Sequence, residues 1–522
     1  MVKKGAKKRG ETKKSAAPKT EKIDFSSSIG SEDGQQTVSV IDSYSVKCRD
    51  IPLEIKIYNS TKEYVPIYEV FVPAIGAHTR VILEKMRQEL VKSVHLGVAD
   101  ISDMKGQQKK LQETFKESIQ KLVDKYFPSS QAEDKAFFVS YMLLRSIGLG
   151  EVEILMSDDG LEEVAINSAS QPIWVFHRKY GWLKTNIQLK DEDQIRYFAT
   201  TIGRKAGRQI SVLEPLMDVT LAVGDRVNAT LSPISNEGNT ITIRKFASKP
   251  WTITDFIKHG TITHEAAAIL WQAIQFELSI LIAGGTASGK TSMLNILSNF
   301  FPPNQRIISI EDTREIKLPK FLHWIPMLTR LPNTEGRGGV TMLRLLQNSL
   351  RQRPDRIIVG EIRRPEEAEV LFEAIHTGHS VYATVHANTA DETVARLTNP
   401  PISIPKMMIS ALSLVVVQYR NRRSGLRRTF QIAEILENGD ANVLMQYDAS
   451  KDKLTNRNMS KIFLKTIETF SGISKKDLML HLKEKEKVLQ WMVKNNINTV
   501  EGVGEVMAQY YTDSKALLKK IK

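Results

Sequence analysis

The sequence predicts an α/β protein in which a doubly wound parallel sheet is preceded by a mixed α/β domain and flanked by helical extensions. Three observations predict it. Short apolar runs alternate with stretches whose apolar residues recur at helical spacing, as in βα units. The stretch Glu277 to Phe300, ELSILIAGGTASGKTSMLNILSNF, reads as a buried strand, a glycine loop and a helix. Three further apolar runs end in Glu311, Glu361 and His386, and in doubly wound sheets the carboxyl ends of the strands form the ligand crevice.

At 522 residues the chain has length for roughly three domains, and 41% hydrophobic residues indicate a mostly globular protein. The formal net charge of +14 admits nucleic acid, acidic lipid or an acidic protein as partner without choosing among them. Cys48 is the only cysteine, which excludes an intramolecular disulfide and a cysteine-built zinc site and suits a reducing compartment. No apolar run is long enough to span a bilayer. The expectation is a soluble, cytoplasmic protein, with any membrane association peripheral at the inner face.

In chain order, residues 1–45 read as a disordered basic tail, with Lys3 to Lys22 supplying much of the excess charge, of the sign that anionic lipid attracts. Residues 46–135 are expected to form a module of short strands, in LEIKIYN and YVPIYEVFV, followed by helices at Val81 to Leu96 and Gln107 to Tyr126. Residues 136–247 read as a mixed α/β domain. Its expected strands are Val152 to Leu155, Val164 to Ile166 and Ile173 to Phe176, with a helix from Asp191 to Gly203 and a hairpin-like pair at Leu221 to Leu231 and Thr240 to Phe246. Lys249-Pro250-Trp251 marks a linker, because a residue before proline is held extended. Residues 248–437 hold the nucleotide domain, and residues 438–522 a helical C-terminal extension with one last strand at its start.

The chemistry lies in the nucleotide domain. Gly284, Gly285, Thr286, Ala287, Ser288, Gly289, Lys290, Thr291 and Ser292 form a loop whose N–H groups point at phosphate oxygens. Lys290 supplies a cation, and the Thr291 hydroxyl can ligate Mg²⁺. The following helix turns its positive end toward the same anion. Glu361 and Glu311, at strand ends beside the cradle, are candidates for orienting and deprotonating an attacking water, and His386 for bonding a phosphate oxygen or the catalytic glutamate. Arg204, Arg208, Arg226 and Arg244 are spread over the preceding domain, where a guanidinium can stabilise a transferring phosphoryl group.

Four segments stand in a fixed order: GGTASGKT, SIEDTREI, RQRPDRIIVGEIRRPE and TGHSVYATVHANT. In this order they resemble the Walker A, Asp box, atypical Walker B and His box of the type II and type IV secretion ATPase superfamily. The segments ISVLEPLMDVTLAVGDRVNATL, TITIRKF and PIWVFHRKYGWLKTNI look like that family's N-terminal half, and the nearest likeness is to the archaeal branch that drives archaella and type IV-like pili. The resemblance covers roughly Pro66 to Glu437, without the tetracysteine zinc module of many bacterial members.

It implies a RecA-like P-loop NTPase core, a homo-hexameric ring, and ATP with Mg²⁺ bound between two domains. Residue by residue, it implies Lys290 and Thr291 on phosphates and Mg²⁺, Glu361 in the Walker B role, Glu311 and Asp312 in the Asp box role with Asp312 toward Mg²⁺, and His386 in the His box role. Arg208, Arg226 and Arg244 would reach phosphates or base from the N-terminal side. The expected function is an ATPase motor acting on a polytopic membrane platform protein to assemble a pilus-like or archaellum-like filament, or to drive secretion. Two alternatives of other classes are a nucleic-acid motor, disfavoured because the charge is concentrated in a tail and not in an aromatic-laced groove, and a nucleotide-switched scaffold, against which Glu361 argues.

Overall fold

A computed structural model describes residues 22–23, 39–73, 76–93, 104–146, 149–221, 223–246, 250–332 and 336–521. The chain divides into two compact units, Met1–Ala247 and Ser248–Lys522. Most of the basic tail, residues 1–21 and 24–38, lies outside the described residues, as does Lys249 of the expected linker.

In the first unit one sheet takes up both expected segments. Its order is Ser39–Cys48, Ile51–Asn59, Ile67–Pro73, Gly181–Gln188, Pro172–His177, Leu161–Ile166, Thr240–Arg244, Arg226–Thr230 and Leu216–Thr220. Three corrections follow. The strand Ser39–Cys48 begins inside the stretch expected as tail, because its alternating residues pair along Ile51–Asn59. The expected boundary near residue 135 does not divide the sheet, since Ile67–Pro73 runs parallel to Gly181–Gln188. Val152 to Leu155, expected as a strand, lies in the helix Glu151–Met156. There Gly150, at φ +58°, turns the chain, and Glu153 reaches back to accept the Leu149 N–H at 3.0 Å, so the local contacts favour a helical turn over an alternating strand. Ala77–Ser93, Met104–Tyr126 and Ala132–Ser146 are helices that share a small apolar core around Met86, Ile119 and Val139.

In the second unit a nine-stranded sheet runs in the order His323–Leu328, Arg306–Glu311, Arg356–Val359, Ser380–Val385, Ile280–Gly284, Leu414–Arg420, Arg427–Ile435, Ala441–Asp448 and Lys453–Asn456. The first six strands are parallel, and the last three continue antiparallel. The central parallel strands Arg306–Glu311, Arg356–Val359, Ser380–Val385 and Ile280–Gly284 bury both faces, which is why they read as unbroken apolar runs. On one face the helices His264–Gln275 and Lys290–Ser298 and the C-terminal helices Phe463–Ser471, Lys475–Lys494 and Val500–Ile521 share one core with Ile280, Ile282 and Val416. On the other, Met342–Leu350, Pro365–His376 and Ala390–Thr398 cover Leu281, Ala283 and Val359. The expected division after residue 437 is therefore not a structural one: two strands beyond it complete the sheet, and the C-terminal helices close one of its faces. No helix among the described residues is long and apolar enough to cross a membrane.

Candidate nucleotide site

The P-loop strand Ile280–Gly284 is buried along its whole length and delivers the loop to the carboxyl edge of the sheet. Gly284 has φ +153°, and a Cβ there would run into Ser288 Oγ and the Gln418 carbonyl. Gly289, at φ +94°, caps the helix Lys290–Ser298. Left-handed backbone at this cap suits glycine and lets the first amides of the helix face the loop interior. Thr286 and Ala287 are exposed at the apex, and Thr291 and Ser292 are half-buried in the first helical turn.

Lys290 is 9% exposed. Its Nζ donates to the carbonyls of Gly284 and Gly285 at 2.8 and 2.9 Å and lies 3.3 Å from His386 Nδ1. Burial lowers the lysine pKa, with Glu361 and Glu315 opposing the shift. His386 follows the strand Ser380–Val385, and its Nε2 is 2.7 Å from Glu361 Oε1. Burial and then the Lys290 charge hold the imidazole below its usual pKa, so at neutral pH it sits as an uncharged ring between a cation and a carboxylate.

Glu361 ends the strand Arg356–Val359 by two residues and is held from its other oxygen: Arg363 Nε donates to Oε2 at 2.8 Å. The same guanidinium reaches Asp312 Oδ2 at 2.9 Å, while Thr329 donates to Asp312 Oδ1 at 2.9 Å. A continuous chain of contacts thus joins Lys290, His386, Glu361, Arg363 and Asp312. Arg363, two residues after the glutamate in sequence, had no role in the sequence reading, because its link to Asp312 crosses 51 residues.

Glu311 has different surroundings. It is 2% exposed, and Oε1 accepts the N–H groups of Glu315 and Ile316 at 2.8 and 3.0 Å. Burial pushes its pKa up to about 7, against those two hydrogen bonds. Glu311 Oε2 is buried without a hydrogen-bond partner, an orphaned oxygen that a water or a hydrated cation would satisfy. Among the described residues no three His, Cys, Asp or Glu side chains gather as a metal cage. Mg²⁺ carried on phosphates needs none, since it keeps several waters and takes only one or two protein ligands. The Thr291 hydroxyl, in the first turn after the loop, and the partnerless Glu311 oxygen are oxygens of the kind that demand calls for.

Arg208, Arg226 and Arg244 belong to the first unit. Arg226 donates from Nε to Asp218 Oδ1 at 2.9 Å on the adjacent strand. Arg244 lies opposite Arg226 in one strand register and Glu163 in the other. Arg208 follows the helix Glu192–Lys205, its N–H bonded to the Gly203 carbonyl at 2.8 Å.

Residues 147–452 match the family described as type II/IV secretion system protein. An uncharacterized protein of Methanocaldococcus jannaschii is 27% identical, over 93% of this chain and 90% of that one. The type IV secretion system protein PtlH of Bordetella pertussis is 30% identical over 52% of this chain and 89% of its own length. Among solved structures, the ATPase DotB of Legionella pneumophila aligns with 71% of this chain and 94% of its own at 17% identity and a TM-score of 0.39.

Proposed function

We infer the activity from one premise: the chain belongs to the type II/IV secretion system protein family. We propose that it is an ATP-hydrolysing hexameric motor at the cytoplasmic membrane that powers assembly of a type IV pilus-like or archaellum-like filament, or secretion, through a polytopic membrane platform protein. The observation that carries the enzymatic part is the contact chain from Lys290 through His386 to Glu361 beside the P-loop.

In this reading the loop amides of Gly285 to Lys290 and the Lys290 ammonium bind the phosphates. Lys290 exchanges two neutral carbonyls for phosphate oxygens, a stronger, charge-assisted pairing. Glu361 orients a water for in-line attack on the γ-phosphorus and receives its proton. Neutral His386, beside both Lys290 and Glu361, reports the state of the phosphate end to the carboxylate. Arg363 keeps Glu361 aimed by clamping its second oxygen. When bound, Mg²⁺ would neutralise phosphate charge, with Thr291 and Asp312 as its proposed protein-side partners. Arg208, Arg226 and Arg244 are proposed to complete the site from the first unit, so that the phosphates favour a closed arrangement that hydrolysis releases.

Glu361→Gln tests the enzymatic part. ATP binding should persist while kcat falls by about 10²-fold or more, the usual contribution of a positioned general base. Lys290→Ala should weaken binding itself. Turnover by Glu361→Gln near the wild-type rate would remove Glu361 from the reaction.

A further inference from the structure

The P-loop strand has unlike neighbours on its two sides. On one side stand Ser380–Val385 and then Arg356–Val359, which carry His386 and Glu361 at their ends. On the other stands the hairpin of Leu414–Arg420 and Arg427–Ile435. Leu414–Arg420 is parallel to the P-loop strand with Gln418 opposite Gly284, so the turn between the hairpin strands emerges at the same edge of the sheet as the loop. Across its neck Arg420 faces Arg427. With Arg422 and Arg423 in the turn, the segment Gln418 to Arg427 holds four arginines and no acid. Like charges directly opposite on neighbouring strands repel, and an anion at this edge would offset that repulsion. Arg420 Nε is buried without a hydrogen-bond partner. Arg427 meets the loop directly: its Nε donates to the Ala287 carbonyl at 3.1 Å, and Ala287 itself sits at φ +58°.

We propose that this hairpin forms the nucleoside-side wall of the nucleotide site, with Arg427 contacting the α-phosphate. The inference rests on the ATPase reading above. A triphosphate whose γ end points toward Glu361 and His386 must carry its α-phosphate and ribose across the P-loop strand to the opposite side, and the hairpin occupies that side. The Arg427 guanidinium carries its N–H groups in a fixed planar fork, the geometry that suits a phosphate.

Calorimetric titration of ATP, ADP and inorganic pyrophosphate into the full-length wild-type, Lys290→Ala, Arg427→Gln and Arg427→Lys proteins tests it. Arg427→Gln should weaken ATP and ADP by the same factor, about tenfold for a lost charged hydrogen bond, and raise KM while kcat stays within about threefold. Arg427→Lys, which keeps the cation, should lose less than Arg427→Gln. Pyrophosphate, which has no nucleoside end and needs only the loop and Lys290, should bind wild type and Arg427→Gln alike. Unchanged ATP and ADP affinity in Arg427→Gln overturns the proposal. So does a parallel loss of pyrophosphate, which would show Arg427 acting only by holding the loop, and so does a loss for ATP alone, which would place it at the γ end. If wild type and Lys290→Ala bind ATP equally, the ATPase reading itself has failed.

Discussion

Glu311 and Glu361 close neighbouring strands of one sheet, and their oxygens meet different partners. Glu361 faces a guanidinium and an imidazole, whereas Glu311 holds two backbone amides from inside the protein. That difference predicts a pH signature. With the folded pKa of Glu311 raised to about 7 from 4.5, the folded state binds the extra proton between those values. Stability should therefore fall as pH rises from 4.5 to about 7 and stay level above. Glu311→Gln keeps an acceptor for the two amides and removes the ionisation. It should leave stability nearly unchanged at pH 4.5 and raise it at pH 8 by on the order of 2 kcal/mol, seen as a higher Tm at pH 8 only. A Tm gain of equal size at both pH values would mean that Glu311 ionisation is not the source. Both glutamates were legible in the sequence as acids at strand ends. Which one is tied into the backbone was not, because the amides it holds are set by the path of the following loop.

Among the elements, the last helices depend on one buried carboxylate. Glu434, on the strand Arg427–Ile435, is fully buried. Its oxygens accept from Asn442 Nδ2, the Ser460 hydroxyl and the N–H groups of Lys461, Ile462 and Phe463 at 2.6 to 3.1 Å. Burial alone would raise its pKa, yet the bonds from Lys461, Phe463 and Asn442 hold it below the usual value. This side chain anchors the entry to Phe463–Ser471. Glu434→Ala would leave those donors unpaired in a dry site, at a cost of about 3 kcal/mol. Urea unfolding should show the loss, and amide exchange should rise first over residues 461–471. Protection there equal to wild type would count against the anchoring role. The sequence indicated helices over this region by apolar spacing. It could not reveal that an acid 27 residues before Lys461 starts them, since the contact is made through the sheet.

For the whole molecule, the division into Met1–Ala247 and Ser248–Lys522 separates the P-loop, Glu361 and His386 from Arg208, Arg226 and Arg244. If those arginines complete the site, residues 250–522 produced alone should bind ATP but hydrolyse it at least about tenfold more slowly than the full chain, within the range of a removed charge-stabilising donor. In the intact protein Arg226→Ala should reduce turnover with little loss of stability, because its ion pair with Asp218 is partly exposed and such pairs contribute about 1 kcal/mol or less. Full turnover by the isolated unit would remove the arginines from the mechanism.

What the sequence determined by itself was local and ordered along the chain. The glycine loop, its lysine and the apolar runs ending in Glu311, Glu361 and His386 each depend on residues within one βα unit, so spacing and backbone chemistry were enough to locate them. Tertiary structure decided the rest. Val152 to Leu155 became helix because Gly150 and Glu153 closed a turn that alternation could not reveal. The strands after residue 437 joined the nucleotide sheet because Arg427–Ile435, paired antiparallel to the last parallel strand, offered its other edge to Ala441–Asp448. Arg363 and Arg427 acquired their contacts with Asp312 and Ala287 because parallel strands, whose order in space differs from their order in sequence, bring distant ends to one edge.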